Sequence, residues 1–302
     1  MNEGFVDLQV NGYGGVDFNS DDLTAEGLHR ACEALMADGV AAILATIITE
    51  EVDTMCRRLS QIAKLREADA LARKLIAGVH IEGPFINETD GYRGAHPADA
   101  VRPADMDVMQ RLLDAAGGLT RVVTLSPERD AGSRVITQLV KGGVRVSAGH
   151  CNPSIDELDA AIDAGLGMFT HLGNGCPAML PRHDNIIQRV LSRSDRLMIC
   201  FIADGVHIPL PALRNYLRCA GVDRCAIVSD AMSAAGLGPG RYRLSRWEVA
   251  VGEDGAVRSP DGSHLVGAAL SLRRARTNLR DELKLTESDC HALLVSNPGR
   301  FI

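Results

Sequence analysis

Short apolar runs alternate along the whole chain with longer stretches whose apolar positions recur at helical spacing. A continuous apolar run reads as a strand buried on both faces and the amphipathic stretch after it as a crossover helix, so the repeat predicts parallel strands joined by helices. Strands are predicted over Phe5–Val10, Ala41–Ala45, Leu75–Ile81, Thr120–Leu125, Val144–Ala148, Gly167–Thr170, Leu197–Ile202 and Arg224–Ser229. Helices are predicted over Thr24–Asp38, Glu51–Glu67, Pro103–Ala116, Ala131–Lys141, Ser154–Ala164, Asn185–Arg193, Pro209–Cys219 and Ala268–Glu282, with a closing helix at Glu287–Ser296. The Ser154-Ile-Asp-Glu157 capping box and Pro209 are start signals for two of them.

Eight β/α units in 302 residues fit a (β/α)8 TIM-type barrel better than a doubly wound open sheet. The repeat is interrupted at Arg241–Val266, where Tyr242-Arg-Leu, Trp247-Glu-Val-Ala-Val and Ala256-Val-Arg separate around Gly252-Glu-Asp-Gly255. That pattern predicts a small β-meander inserted after the eighth strand. With no linker, low-complexity run or internal repeat, residues 1–302 are expected to form a single domain.

The composition is that of a folded globular chain, 46% hydrophobic and 24% charged. A formal charge of -7 with no basic run argues against a nucleic-acid or anionic-membrane partner. No basic n-region with an apolar stretch opens the chain and no long apolar segment follows, so a cytoplasmic protein without a membrane span is expected. The eight cysteines form no CxxC pair and read mainly as small buried apolar residues.

In a barrel, chemistry collects at the C-terminal ends of the strands. The first strand ends with Gln9 and Asn11 on one face, either a hydrogen-bonded amide pair or part of a site. The third ends with His80 and Glu82 on one face, and a carboxylate there needs a partner, an arginine or a metal site. The fifth and sixth end at His150 and His171, one βα unit apart, which would place two imidazoles at the same height on adjacent strands. With Glu82 across the mouth, they would form a His-His-Glu set of the kind that holds catalytic zinc with one position open. Asp230, closing the eighth strand, reads as a general base and acid or as a turn cap. His207 and Arg182 lie in loops on the same side, placed to meet an anionic group or to be solvated.

Several segments together resemble the amidohydrolase superfamily, and within it the N-acetylglucosamine-6-phosphate deacetylase family. They are Leu8-Gln-Val-Asn-Gly-Tyr-Gly-Gly15, Val79-His-Ile-Glu-Gly-Pro84, Gly94-Ala-His96-Pro97, Val146-Ser-Ala-Gly-His150, Thr170-His-Leu-Gly-Asn174, Ile202-Ala-Asp-Gly-Val-His207 and Val228-Ser-Asp-Ala231. The resemblance implies that Glu82, His150 and His171 hold one divalent metal, zinc before iron, cobalt or manganese, and that Asp230 is the catalytic acid/base. It implies that His96 polarises the acetyl carbonyl, that Ala95, the Asn174-Gly175 backbone and His207 contact the sugar phosphate, and that Arg182 binds phosphate across a homodimer interface. Superfamily members often carry His-x-His where Gln9 and Asn11 stand, so a single metal is expected. The family's flanking β-sandwich has no counterpart before Phe5 or after Asn297, so a barrel without it is expected. The implied reaction yields glucosamine 6-phosphate and acetate. Another N-acyl amino sugar, an N-acyl amino acid or a cyclic amide is the alternative substrate, and a non-catalytic sugar-phosphate-binding protein the alternative class.

Overall fold

The computed structural model describes residues 4–259, 261, 262 and 264–302. In chain order the strands are β1 (Phe5–Val10), β2 (Gly12–Tyr13), β3 (Val16–Asp17), β4 (Val40–Ile48), β5 (Ile76–Glu82), β6 (Thr120–Leu125), β7 (Arg145–Ala148), β8 (Met168–Phe169), β9 (Met198–Ile202), β10 (Cys225–Val228), β11 (Gly240–Leu244), β12 (Trp247–Val251) and β13 (Val257–Arg258). The α-helices are α1 (Ala25–Ala37), α2 (Val52–Ala68), α3 (Ala70–Leu75), α4 (Met106–Ala115), α5 (Arg134–Lys141), α6 (Ile155–Asp163), α7 (Ile186–Leu191), α8 (Leu210–Ala220), α9 (Leu272–Thr277) and α10 (Glu287–His291).

Eight strands form one parallel sheet in the order β1-β4-β5-β6-β7-β8-β9-β10. The sheet closes where β1 meets the chain just past β10: Val10 bridges Ala231, and Asn11 N donates to Ala231 O at 2.7 Å. Buried Asp7 reinforces this seam by accepting from Ser229 N at 3.1 Å. The strands are almost wholly buried, as expected when side chains fill the barrel on one face and helices cover the other.

Local chemistry starts the helices where the sequence predicts them. Ser154 and Glu157 form the expected capping box on α6, and Thr24, Asp105 and Asn185 cap α1, α4 and α7 with their side chains. Several boundaries differ from the sequence reading. β4 runs on to Ile48 because Thr46, Ile47 and Ile48 pair with His80, Ile81 and Glu82. α3, capped by Asp69, forms in a stretch read as connection and takes in Leu75, which was expected to open the third strand. The helix expected from Ala268 to Glu282 starts only after the Ser271 cap and becomes a π-turn over Asn278–Glu282.

The interruption after β10 is the expected meander, with β11, β12 and β13 antiparallel in that order. Positions 260 and 263 of the predicted insertion lie outside the described residues. A small apolar cluster containing Ile48, Met232, Leu244, Val249, Val251 and Val257 seats it on the barrel mouth. Its β11–β12 turn is also pinned by polar contacts: Ser245 N donates to Asp17 Oδ2 at 2.6 Å, and buried Arg58 donates to Ser245 Oγ at 2.9 Å. No described helix is long and apolar enough to cross a membrane.

Candidate metal centre

Three strand ends deliver Glu82, His150 and His171 to one buried spot, with a ligand atom of each within 4.8 Å of the others. Glu82 Oε1 lies 3.1 Å from His171 Nε2 and 3.3 Å from His150 Nε2. Among the described residues no arginine pairs with Glu82, so the ion-pair alternative for this carboxylate is not what forms.

Proton accounting tests whether the trio fits a cation. His150 Nδ1 faces the Tyr92 carbonyl oxygen at 2.9 Å. A carbonyl only accepts, so Nδ1 carries the proton and a neutral His150 turns the lone pair of Nε2 toward the Glu82 oxygen. Two acceptors facing each other in a buried site require a proton or a cation between them. His171 Nδ1, buried without a hydrogen-bond partner among the described residues, leaves this ring tied to the cluster through Nε2. The donor set therefore fits a divalent ion bound by two imidazoles and a carboxylate. The Tyr92 carbonyl serves as the outer group that fixes the His150 tautomer.

The opposite side of the mouth holds Asp230. Its Oδ1 accepts from Gln9 Nε2 at 3.0 Å and Asn11 Nδ2 at 2.8 Å, and Gln9 Nε2 also lies 3.0 Å from Glu82 Oε2. Gln9 therefore bridges the two carboxylates, and Asn11 adds a second donor to Asp230. His150, His171 and Asp230 share a backbone feature that side-chain spacing does not reveal. Their φ angles of 52°, 31° and 50° are left-handed, a conformation uncommon outside glycine and concentrated at functional strand ends.

His96 joins the cluster from the long loop after β5, its Nε2 3.2 Å from His150 Nε2 and the two rings edge to face. Glycine makes room for this packing. A Cβ on Gly175 would stand 2.8 Å from His150 Nδ1, and one on Gly94 would stand 3.1 Å from His150 Cε1, while both glycines have positive φ. The His96 loop is tied down by Arg246 at the meander turn, which pairs with Glu50 at the end of β4 and with Asp99 at 3.2 Å. Neither this tether nor its partners stood out in the sequence, because the three residues lie far apart along the chain.

Other predicted residues lie around this centre. Asn174 folds back on His171, its Nδ2 donating to the His171 carbonyl oxygen at 3.2 Å. Ala95 packs against the meander cluster. His207 is held by Asp204, with Nδ1 2.6 Å from Asp204 Oδ2 and its backbone N–H donating to Oδ1 at 2.8 Å. Asp204 was not singled out from sequence, although its position three residues before His207 in a glycine-containing turn was the available signal. Arg182 is exposed on the loop before α7 and makes no ion pair among the described residues.

Burial and charge push the groups apart. Burial raises the Glu82 carboxyl, but where protons rather than a cation fill the gap, hydrogen bonds from His150 and His171 and their charges outweigh it and hold it well below the usual range. Burial, and next the Glu82 charge, raise Asp230 against the opposing His171 and Asn11. His96 is lowered to about 3, chiefly by burial, so its ring is neutral. Burial raises Asp7, beneath this layer, to about 7.

No family profile matches the chain. Its sequence is 36% identical over 280 residues to the N-acetylglucosamine-6-phosphate deacetylase of Bos taurus, covering 89% of this chain and 66% of that protein. It is 30% identical over 301 residues to the N-acetylgalactosamine-6-phosphate deacetylase of Escherichia coli O157:H7, covering 99% of this chain and 77% of that protein. Among solved structures, a mutant of the N-acetyl-D-glucosamine-6-phosphate deacetylase of Mycobacterium smegmatis, in complex with N-acetyl-D-glucosamine-6-phosphate, superposes with a TM-score of 0.88 at 30% identity. That match covers 98% of this chain and 76% of that one.

Proposed function

This chain belongs to the N-acetylglucosamine/N-acetylgalactosamine-6-phosphate deacetylase family of the amidohydrolase superfamily, and from that premise we propose that it hydrolyses the N-acetyl group of N-acetylglucosamine 6-phosphate to glucosamine 6-phosphate and acetate. The observation that carries the reading is the convergence of Glu82, His150 and His171 opposite an Asp230 held by two amides.

In this reading Glu82, His150 and His171 hold one divalent ion, zinc as the leading choice. When bound, such an ion supplies Lewis acidity, polarising a carbonyl oxygen and lowering the pKa of a water. Asp230 takes one proton of the attacking water at a carboxylate oxygen and delivers it to the amide nitrogen as the C–N bond breaks, giving the amine and acetic acid, whose remaining proton passes to the amine as the products leave as acetate and an ammonium sugar. Gln9 and Asn11 aim that carboxylate, and the Gln9 amide also fixes Glu82. Because they place amide N–H groups where imidazoles would have to stand, they support one ion rather than two. Neutral His96 offers an N–H to the carbonyl oxygen, stabilising developing negative charge without adding a cation to the pocket.

The sugar phosphate is assigned to His207, oriented by Asp204, and to the backbone at Ala95 and Asn174-Gly175. In a homodimer, the partner subunit's Arg182 completes it; the exposed, unpaired state of this side chain supports that role. Residues 1–302 act in this reading as a single hydrolase barrel with the meander as an insertion, working in the cytoplasm. The N-acetylgalactosamine epimer is a second reading, favoured by the Escherichia coli relative that covers 99% of the chain.

Acetate release from N-acetylglucosamine, N-acetylgalactosamine and their 6-phosphates, with and without Arg182→Ala/His207→Ala, tests the assignment. Strong preference for one 6-phosphate, lost in the double variant, is expected. Equal use of phosphorylated and free sugars by both proteins would refute the phosphate assignment.

A further inference from the structure

Beneath the metal centre, the barrel interior contains a run of polar side chains that the proposed reaction does not use. His80 Nδ1 lies 3.0 Å from the Leu8 carbonyl oxygen, and its Nε2 lies 2.7 Å from Thr124 Oγ1. Thr124 Oγ1 is 2.7 Å from Thr170 Oγ1, which is 2.6 Å from Ser147 Oγ. All four side chains belong to buried residues, so each polar atom depends on the next for a partner.

The direction of these bonds follows from donor counting. The Leu8 carbonyl only accepts, so His80 carries its proton on Nδ1, and in a neutral ring Nε2 accepts. Thr124 spends its one hydroxyl proton there and must accept from Thr170, which in turn must accept from Ser147. One order satisfies all four contacts: Ser147 to Thr170 to Thr124 to His80 to Leu8.

Two of these links do what the backbone ladder cannot. The sheet order separates β1 from β5 by β4, and β6 from β8 by β7, yet the His80–Leu8 and Thr124–Thr170 bonds join those pairs directly across the interior. Four segments tied by the run then present site residues. Gln9 follows Leu8, Glu82 stands two residues beyond His80, His150 three beyond Ser147, and His171 directly after Thr170.

We propose that the Ser147–Thr170–Thr124–His80 chain is a positioning layer that sets the relative height and separation of the strand ends carrying Glu82, His150 and His171, and thereby the geometry at which they grip a metal. The proposal rests on the reading that those three residues hold one. Apolar residues could fill the same volume; what they could not do is tie non-neighbouring strands at a fixed distance just below the ligands.

Thr124→Val keeps the side-chain shape and removes the central hydroxyl, whereas Thr124→Ser retains it. Zinc affinity by chelator competition, the visible spectrum of the cobalt(II)-loaded protein and Tm are compared with wild type. Thr124→Val is expected to weaken zinc about tenfold, in the range seen for groups that support metal ligands, and to alter the cobalt spectrum. Thr124→Ser should stay within about threefold of wild type on the same scale. A Thr124→Val protein with lowered Tm but unchanged zinc affinity and cobalt spectrum would overturn the proposal, because a purely structural layer gives that result.

Should Thr124→Val fail to fold, Ser147→Ala, which removes only the terminal hydroxyl, decides. A loss of about threefold or more supports the layer, and unchanged affinity overturns it. Wild-type protein that takes up neither ion would overturn the metal reading itself, and the role of this layer with it.

Discussion

Glu82 and Asp230 face each other across the barrel mouth and, among the described residues, share one hydrogen-bond donor, the Gln9 amide, whose Nε2 is 3.0 Å from an oxygen of each. Their remaining partners differ. Glu82 sits between two imidazoles, which hold its carboxyl well below the usual range despite its burial. Among the described residues the Asp230 carboxylate accepts only from side-chain amides, so burial and the charge of Glu82 push it the other way. Two carboxylates made unequal by their surroundings can divide labour: the one kept ionised suits a cation, and the one whose proton affinity is raised suits proton transfer.

Substitutions at the mouth test this division, beginning with the ligand side. His150→Ala should abolish turnover, a loss on the order of 10⁴-fold or more in acetate release, because the remaining two ligands cannot retain the ion. Substantial activity in this variant would break the comparison at its first term. Asp230→Asn should retain the fold and lose about 10²–10⁴-fold in kcat with little change in KM, as expected for a lost proton carrier. A variant with a raised KM and unchanged kcat would instead make Asp230 a binding group.

Gln9→Leu removes the amide common to both sides and should lower kcat/KM by about tenfold, or ~1.4 kcal/mol. An unchanged value would show that the amide only fills space. The smallest effect concerns Asp7 at the seam beneath. Its carboxyl is raised from the ordinary 3.8 to about 7 by burial, so the folded state holds a proton that the unfolded chain releases. The resulting stability is fully present below pH 3.8 and is lost as pH rises through about 7. Asp7→Asn, which keeps the hydrogen bond to Ser229 N, should therefore gain a few degrees in Tm relative to wild type between about pH 5 and about pH 8. A difference between the two proteins that does not change with pH would place the Asp7 proton elsewhere.

Much of this was legible in the chain itself. All eight barrel strands, the capping box at Ser154 and the meander follow from periodicity and turn residues, because parallel strands buried on both faces leave a strong apolar signature. The barrel then makes residues at strand ends neighbours, which is why Glu82, His150 and His171 could be grouped before their distances were known.

What stayed hidden depends on contacts between distant segments or on backbone shape. The hydroxyl of Thr124 looks like any strand threonine until Thr170 and His80 are seen beside it. Arg246 reads as a surface charge until Glu50 and Asp99 flank it. The left-handed turns at His150, His171 and Asp230 leave no mark in residue type, and nothing about the glycines at 94 and 175 says that they make room for the His150 ring.

The central claim is that one ion is held by Glu82, His150 and His171, with Asp230 outside the ligand set. Metal content per chain after zinc loading and removal of free ion tests it most directly. The account predicts one zinc in wild type, one in Asp230→Asn and none in His150→Ala. Two ions per chain in wild type, or loss of the ion in Asp230→Asn, would contradict it.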